Sequence, residues 1–313
     1  MKKIILLPAL IVLLLVLSLI PVDYQTAIPV KGPFLNIYTI LSNPQKWEQW
    51  HPAFRQLPAS DTAKLTVQKD TASFTIQGPQ VGLKVAKNGM IFKIEEQAPK
   101  EHEYSYLIMP LQQGNKTQLI ATEKISLLRY LLAQLSSSYQ GDTHINDFKH
   151  FVETDSLLYG CRIFKTRVPE GDLIEIRQTV PAKEKFTAAH TMLTTLQQFI
   201  KEHQLTRMQP VIAQFLPKGK DSAQVNVGFF IDRETVSVKP VTFVRMPKGG
   251  PLYAARFSGK FDQRKKVYDG LQQYFTDHLY QSAILPFETY LDNQLPTSDT
   301  SHINIQVNFT TYY

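Results

Sequence analysis

The sequence predicts an α+β protein: an N-terminal membrane anchor helix, a helix-grip domain and a duplicated β-α-β-β domain with a central cleft. Three observations support this fold class. An apolar run opens the chain, alternating stretches between Gly, Pro and Asn turns follow, and one strand-helix-strand-strand pattern then occurs twice. The predicted boundaries are 1–23 for the anchor, 24–155 for the first domain and 156–313 for the second.

The anchor prediction comes from the first residues. Lys2 and Lys3 precede an apolar run over 4–20, which is at the short end for a membrane-spanning helix. A cleaved signal peptide is the alternative, but no Ala-x-Ala-like site directly follows the run. Because lysines stay on the cytoplasmic side, we expect a single-pass membrane protein with its body on the extracytoplasmic, periplasmic side.

Composition narrows the function classes. A net charge of +7 is modest and dispersed, and basic pairs such as Lys265-Lys266 are isolated, so no nucleic-acid partner is predicted. A single cysteine, Cys161, excludes an internal disulfide and a thiolate metal cluster. Because phosphate-binding glycine loops are also missing, the sequence predicts no cofactor. The lack of a nucleophile elbow argues against serine-based catalysis.

The first domain is predicted from a sheet and from a helix-to-turn segment with two tryptophans, Trp47 and Trp50, which we call the tryptophan corner. A helix over 33–41 leads into Trp47-x-x-Trp50-x-Pro52, and both tryptophans are expected to be buried. A helical pattern over 127–152 is interrupted by polar residues at 136–143. The predicted strands are 63–67, 73–77, 90–96, 103–109 and 117–124. This order and the tryptophan signature resemble the START-like SRPBCC (polyketide cyclase) superfamily, which implies a hydrophobic ligand gripped between sheet and helix.

The second domain is predicted from its internal repeat. Its first half reads as a strand, a helix and two strands over 173–180, 186–203, 210–216 and 224–231. Its second half repeats them over 251–257, 261–280, 286–291 and 302–309. Aligning Pro210 with Pro286 makes Ile212 the equivalent of Glu288 and Gln214 the equivalent of Tyr290. On this alignment Phe287, Thr289 and Leu291 form a packing face, while Glu288 and Tyr290 lie on a recognition face that differs between the halves.

The residues that follow the repeat pattern resemble a known family. Tyr253, Gly259, Tyr268, Leu271, Tyr274, Glu288 and Tyr290, in the order strand, Gly, helix, then P-x-E-x-Y, resemble the GyrI-like, AraC-type effector-binding domain. The resemblance implies a cleft in which Glu288 is the counter-charge for cationic, lipophilic small molecules. The predicted ligand-binding residues are Glu288, Tyr290, Tyr253, Phe230, Tyr268, Ile212 and Gln214.

Three function classes follow. The favoured one is a membrane-tethered protein that binds an amphipathic or cationic small molecule in the effector-type cleft. The alternatives are a hydrolase of small electrophiles in which Glu288 activates water, and a lipid carrier that acts through the START-like domain. No metal site is predicted, because His144 and His150 are six residues apart, whereas two ligands on one helix face are three or four apart.

Overall fold

The computed structural model describes residues 2–98, 101–111, 115–135, 141, 143–169, 171–245 and 249–312, with side chains from residue 11 onward. It shows an α+β protein with two antiparallel sheets. The chain divides into two compact units, Met1–Leu158 and Tyr159–Tyr313.

The first unit is a seven-stranded sheet with helices. The strand order is β1-β7-β6-β5-β4-β3-β2. Its elements are α1 (Lys2–Leu19), β1 (Pro21–Lys31), α2 (Phe34–Leu41), α3 (Pro44–Trp50), α4 (Pro52–Arg55), α5 (Ala59–Thr62), β2 (Thr66–Lys69), β3 (Ser73–Gln77), β4 (Gly82–Asn88), β5 (Ile91–Ala98), β6 (His102–Pro110), β7 (Lys116–Ser126), α6 (Leu127–Leu135), α7 (Ile145–Glu153) and α8 (Asp155–Leu158).

This unit differs from the sequence-based prediction in two strands and one helix. The sequence analysis did not assign β1 or β4, and β1 pairs with β7 along its whole length, from Pro21 opposite Ser126 to Lys31 opposite Lys116. The helix predicted over 127–152 is two helices, α6 and α7; the interruption predicted at 136–143 falls largely outside the described residues. As for the anchor, none of the helices, over the described part of the chain, combines the length and apolar character that crossing a membrane requires.

The core of the first unit is aromatic. Trp47 and Trp50 are buried, as predicted from the tryptophan corner. The Trp47 indole donates a hydrogen bond to the Leu41 carbonyl (2.8 Å) and stacks on Tyr106 of β6, while Trp50 packs edge-on against Phe148 of α7. These rings occupy the space between the sheet and α7, where the START-like resemblance implied a ligand.

The second unit is an eight-stranded sheet whose strand order is β12-β9-β11-β10-β14-β15-β13-β8. Its elements are β8 (Ile163–Arg167), β9 (Asp172–Pro181), α9 (Lys185–Glu202), β10 (Ile212–Lys218), β11 (Ser222–Ile231), β12 (Thr242–Val244), β13 (Pro251–Lys260), α10 (Lys265–Asp277), β14 (Phe287–Tyr290) and β15 (His302–Thr310), with short 3-10 turns at Ala182–Glu184 and Phe261–Arg264. The two predicted β-α-β-β halves are present, and they join through the pairing of β10 with β14.

Strand register decides which face each residue of β14 occupies. Ala213 lies opposite Glu288 and Ile212 opposite Thr289. Glu288 also lies opposite Val307 of β15, so it belongs to the face that α10 covers. The alignment of Pro210 with Pro286 is therefore wrong, because it makes Ile212 equivalent to Glu288, which lies on the other face of the sheet. A register difference of one residue moves every side chain to the opposite face.

Candidate functional site

The face of the second sheet that α9 and α10 leave open contains a cavity of about 390 Å³. Its apolar lining comes from both halves of the repeat: Leu173, Ile212, Val244, Ile284, Leu285 and Phe287. Phe287 was predicted to pack; it is buried and also lines the cavity. We call this space the sheet-face cavity.

Polar groups of the sheet-face cavity are held in place by one another. The Asn226 amide donates to Gln214 Oε1 (2.6 Å), and the Gln214 amide donates to the Pro286 carbonyl (2.8 Å). At a second point Arg177 donates to Glu175 Oε1 (3.0 Å). The cavity therefore presents fixed amide groups and one charge pair whose arginine is largely exposed.

A second cavity of about 290 Å³ lies on the same face. Phe287 lines both cavities, and Phe230, Leu252 and Thr289 line the second one. Leu173, Ile212, Phe230, Leu252 and Phe287 form one buried apolar cluster. Two cavities thus share one apolar floor. Of the predicted ligand-binding residues, this face contains Ile212, Gln214 and Phe230.

Glu288 lies on the other face, beneath α10, and is 0 % exposed. Its Oε1 accepts hydrogen bonds from Arg264 Nε (2.6 Å) and the Tyr268 hydroxyl (3.0 Å), and its Oε2 accepts one from the Tyr290 hydroxyl (2.5 Å). The Arg264 guanidinium also stacks on the Phe261 ring at 3.4 Å. Arg264 therefore already supplies a counter-charge to the carboxylate that was predicted to serve a cationic ligand.

The two tyrosines around Glu288 remain donors. Burial, and then the charge of Glu288, raise the pKa of Tyr268 well above its ordinary value, and the same causes act on the pKa of Tyr290. Both phenols keep their protons at neutral pH. Their hydroxyls, together with Arg264, satisfy the carboxylate internally.

Tyr253 belongs to a separate aromatic cluster. It lies on β13, its ring contacts Tyr274, Phe275 and Tyr280, and its hydroxyl donates to Tyr280 Oη (3.0 Å). Because β15 separates β13 from β14, Tyr253 does not converge with Glu288. The predicted ligand set is thus divided: Ile212, Gln214 and Phe230 face the cavities, while Glu288, Tyr290, Tyr268 and Tyr253 lie on the helix-covered face.

The first unit contains a polar cluster that sequence reasoning missed. His51 lies between α3 and α4, Glu96 lies on β5, and His144 directly precedes α7. Glu96 Oε1 is 3.2 Å from His51 Nε2 and 3.5 Å from His144 Nε2. The sequence analysis paired His144 with His150, which is exposed on α7, and did not connect it with His51 or Glu96. The contacts of His144 with Glu96 and His51 could not be predicted from sequence spacing, because the three residues come from elements that are far apart in the chain.

Comparisons with known proteins give structural likenesses only. No family model matches the sequence, and no characterised protein matches it by sequence. The C-terminal domain of EcmrR is similar at 17% identity, covering 49% of this chain and 98% of that domain, with a TM-score of 0.40. The Zhui aromatase/cyclase from Streptomyces sp. R1128 is similar at 8% identity (42% and 94% covered, TM-score 0.29). A hydrolase from Listeria innocua is similar at 12% identity (48% and 92%, TM-score 0.36).

These likenesses are consistent with the two resemblances seen in the sequence. With TM-scores below 0.5 they carry no argument about the activity of this chain, so the functional case depends on the geometry of its own sites.

Proposed function

We propose that the second unit is a small-molecule-binding module that takes an amphipathic, lipophilic ligand in the sheet-face cavity. The observation that carries the proposal is the cavity itself. Its volume of about 390 Å³ lies within the range of about 300–1,000 Å³ for small-molecule sites. Mostly apolar walls with a few fixed polar groups are typical of such sites.

The polar groups of the cavity favour a neutral ligand over a cation. The Gln214–Asn226 amide pair offers hydrogen-bonding groups without net charge. Among the described residues of the lining, the carboxylate is that of Glu175, and it is paired with Arg177. Glu288 is on the opposite face and neutralised by Arg264, so it supplies no counter-charge to this cavity. Amphipathic rather than cationic ligands are therefore the proposed class.

The two alternative functions lack such support. A hydrolase based on Glu288 needs water at the carboxylate, whereas this carboxylate is 0 % exposed and accepts three hydrogen bonds from protein groups. A lipid carrier needs space between the first sheet and α7, where Trp47, Trp50 and Phe148 pack together.

A cavity-filling variant tests the binding proposal. Val244 is a partly buried wall residue on the edge strand β12, so Val244→Trp should fill the cavity while the unit still folds. Nile red, a neutral lipophilic dye, should bind the parent protein with a dissociation constant at least tenfold lower than that of Val244→Trp, a difference of about 1.4 kcal/mol. Val236→Trp is the matched control, because Val236 is exposed and does not line the cavity.

Two results would sink the proposal. One is Nile red binding that is equal in the parent and in Val244→Trp. The other is that tetraphenylphosphonium, a lipophilic cation, binds more tightly than Nile red and loses affinity in Glu288→Gln. That outcome would place the ligand site on the helix-covered face, at Glu288.

We also propose that α1 attaches the protein to a membrane, with the body on the extracytoplasmic side. The support is that the described apolar side chains of α1, including Ile11, Val12 and Leu15, remain exposed. Exposed apolar surface is typical of contact with a membrane or a protein. Full-length chain should sediment with membranes and chain lacking residues 2–19 should not; equal recovery of both in the soluble fraction would refute attachment.

A further inference from the structure

We propose that His51, Glu96 and His144 of the first unit form a binding site for a divalent transition-metal ion, and that zinc is the ion they fit best. The inference is independent of the small-molecule cavity in the second unit.

The fold brings the three side chains to one point between the sheet and α7. His51 is fully buried, and its backbone N–H bonds the Trp47 carbonyl at the end of α3 (2.9 Å). Glu96 comes from β5, and His144 adopts a left-handed backbone conformation (φ 54°) just before α7. Their ligand atoms all lie within 4.8 Å of one another.

The distances agree with tetrahedral coordination. Zinc bonds to nitrogen and carboxylate oxygen are about 2.0–2.2 Å, so neighbouring ligand atoms of a tetrahedral site are about 3.3 Å apart. Glu96 Oε1 lies 3.2 Å from His51 Nε2 and 3.5 Å from His144 Nε2. Two of the three edges thus already have the required length. His144 is 29 % exposed, which leaves its ring room to adjust the third.

Unsatisfied atoms point to a ligand in the same place. Glu96 Oε1 is buried and does not meet the geometry of a hydrogen bond with either histidine. A buried polar atom without a partner costs about 1–3 kcal/mol, and more when it is charged. A cation held between the carboxylate oxygen and the two nitrogens would satisfy it.

Neighbouring groups complete the site. Asp147 Oδ2 lies 3.7 Å from His144 Nδ1, so a shift of about 0.7 Å would let this carboxylate accept a hydrogen bond from the ring and orient it. The Tyr104 hydroxyl lies 3.1 Å from His51 Nε2, the same nitrogen that approaches Glu96 Oε1. Two histidines and one carboxylate are the protein ligands of many zinc sites that keep an open position, whereas calcium and magnesium prefer oxygen ligands alone.

Zinc titration of the full-length, chelator-treated protein tests the inference. Calorimetry should give one tight Zn²⁺ per chain and no binding of Mg²⁺, and cobalt should bind with the visible absorption of a four- or five-coordinate ion. His144→Gln should weaken Zn²⁺ binding at least 100-fold. His150→Gln is the matched control, because His150 lies on the same helix, is exposed and is not one of the three ligands.

Asp147→Asn supplies a milder second variant, since it leaves all three ligands in place and should weaken binding by roughly tenfold. If His144→Gln fails to fold, the decision passes to this variant. The proposal is overturned if the parent binds no Zn²⁺, if His150→Gln loses as much affinity as His144→Gln, or if Asp147→Asn binds as the parent does.

Discussion

Replacement of Glu288 by glutamine should destabilise the second unit strongly. The carboxylate is 0 % exposed and accepts one hydrogen bond from Arg264 and two from tyrosine hydroxyls. Glutamine keeps the shape but removes the charge, and its NH₂ group cannot accept a hydrogen bond. The variant therefore leaves Arg264 without its counter-charge. This reverses the expectation for an unpaired buried charge, whose removal would leave the stability level or raise it.

The magnitude follows from the environment of the pair. Removing one partner of a buried ion pair costs about 3–5 kcal/mol. Arg264 is 17 % exposed and keeps its stacking on Phe261 and its bond to the Phe261 carbonyl (2.9 Å), so part of its charge stays compensated. We expect the lower end, about 3 kcal/mol. For a domain of this size that corresponds to a fall in Tm of about 6–12 °C.

Thermal and urea unfolding of the full chain measures the effect. Both tryptophans belong to the first unit, so tryptophan fluorescence should report an unchanged transition while circular dichroism shows the shifted one. Arg264→Gln and the double variant complete a double-mutant cycle, and the double variant should be more stable than the sum of the single effects predicts. Asp269→Asn, which removes an exposed ion pair with Lys265, is the control and should change nothing measurable. A Glu288→Gln protein as stable as the parent, or a coupling energy near zero, would refute the reasoning.

Two further predictions concern the same unit. The pKa values of Tyr268 and Tyr290 are raised, so above the ordinary pKa of 10.0 the folded chain keeps phenolic protons that the unfolded chain releases. The contribution of these two groups to the free energy of unfolding is therefore complete below that pH and falls as the pH rises above it. Unfolding free energies measured between about pH 8 and 11 should show this fall, and Tyr290→Phe should make it shallower; an identical slope would contradict the assignment. Gly270→Ala should lower the stability of the second unit by about 1–3 kcal/mol. Alanine normally stabilises a helix interior, but a Cβ at this position would overlap the Tyr159 carbonyl oxygen and lie 3.0 Å from Cys161 Sγ. A gain in Tm would show that α10 is not closely packed at this point.

Much of the secondary structure was predictable because it depends on neighbours in the chain. The alternation of 302–309 and the helical periodicity of 186–203 indicated β15 and α9 within a residue or two of their observed bounds. The tryptophan corner predicted burial of Trp47 and Trp50, because rings of this size bury a large apolar area. By contrast, β1 was missed because an apolar run ended directly before it.

The sequence by itself determined most of the elements, the duplication of the second unit and its apolar stripes, because each follows from a period of two or 3.6 residues along the chain. Only the tertiary structure decided which face of β14 is covered, since strand register comes from hydrogen bonds to β10 and β15 and a shift of one residue reverses it. It also supplied the partners: Arg264 meets Glu288 from a 3-10 turn, and His51 and His144 meet Glu96 from separate elements. Contacts between residues so far apart in the chain depend on how the elements pack, which no local pattern encodes.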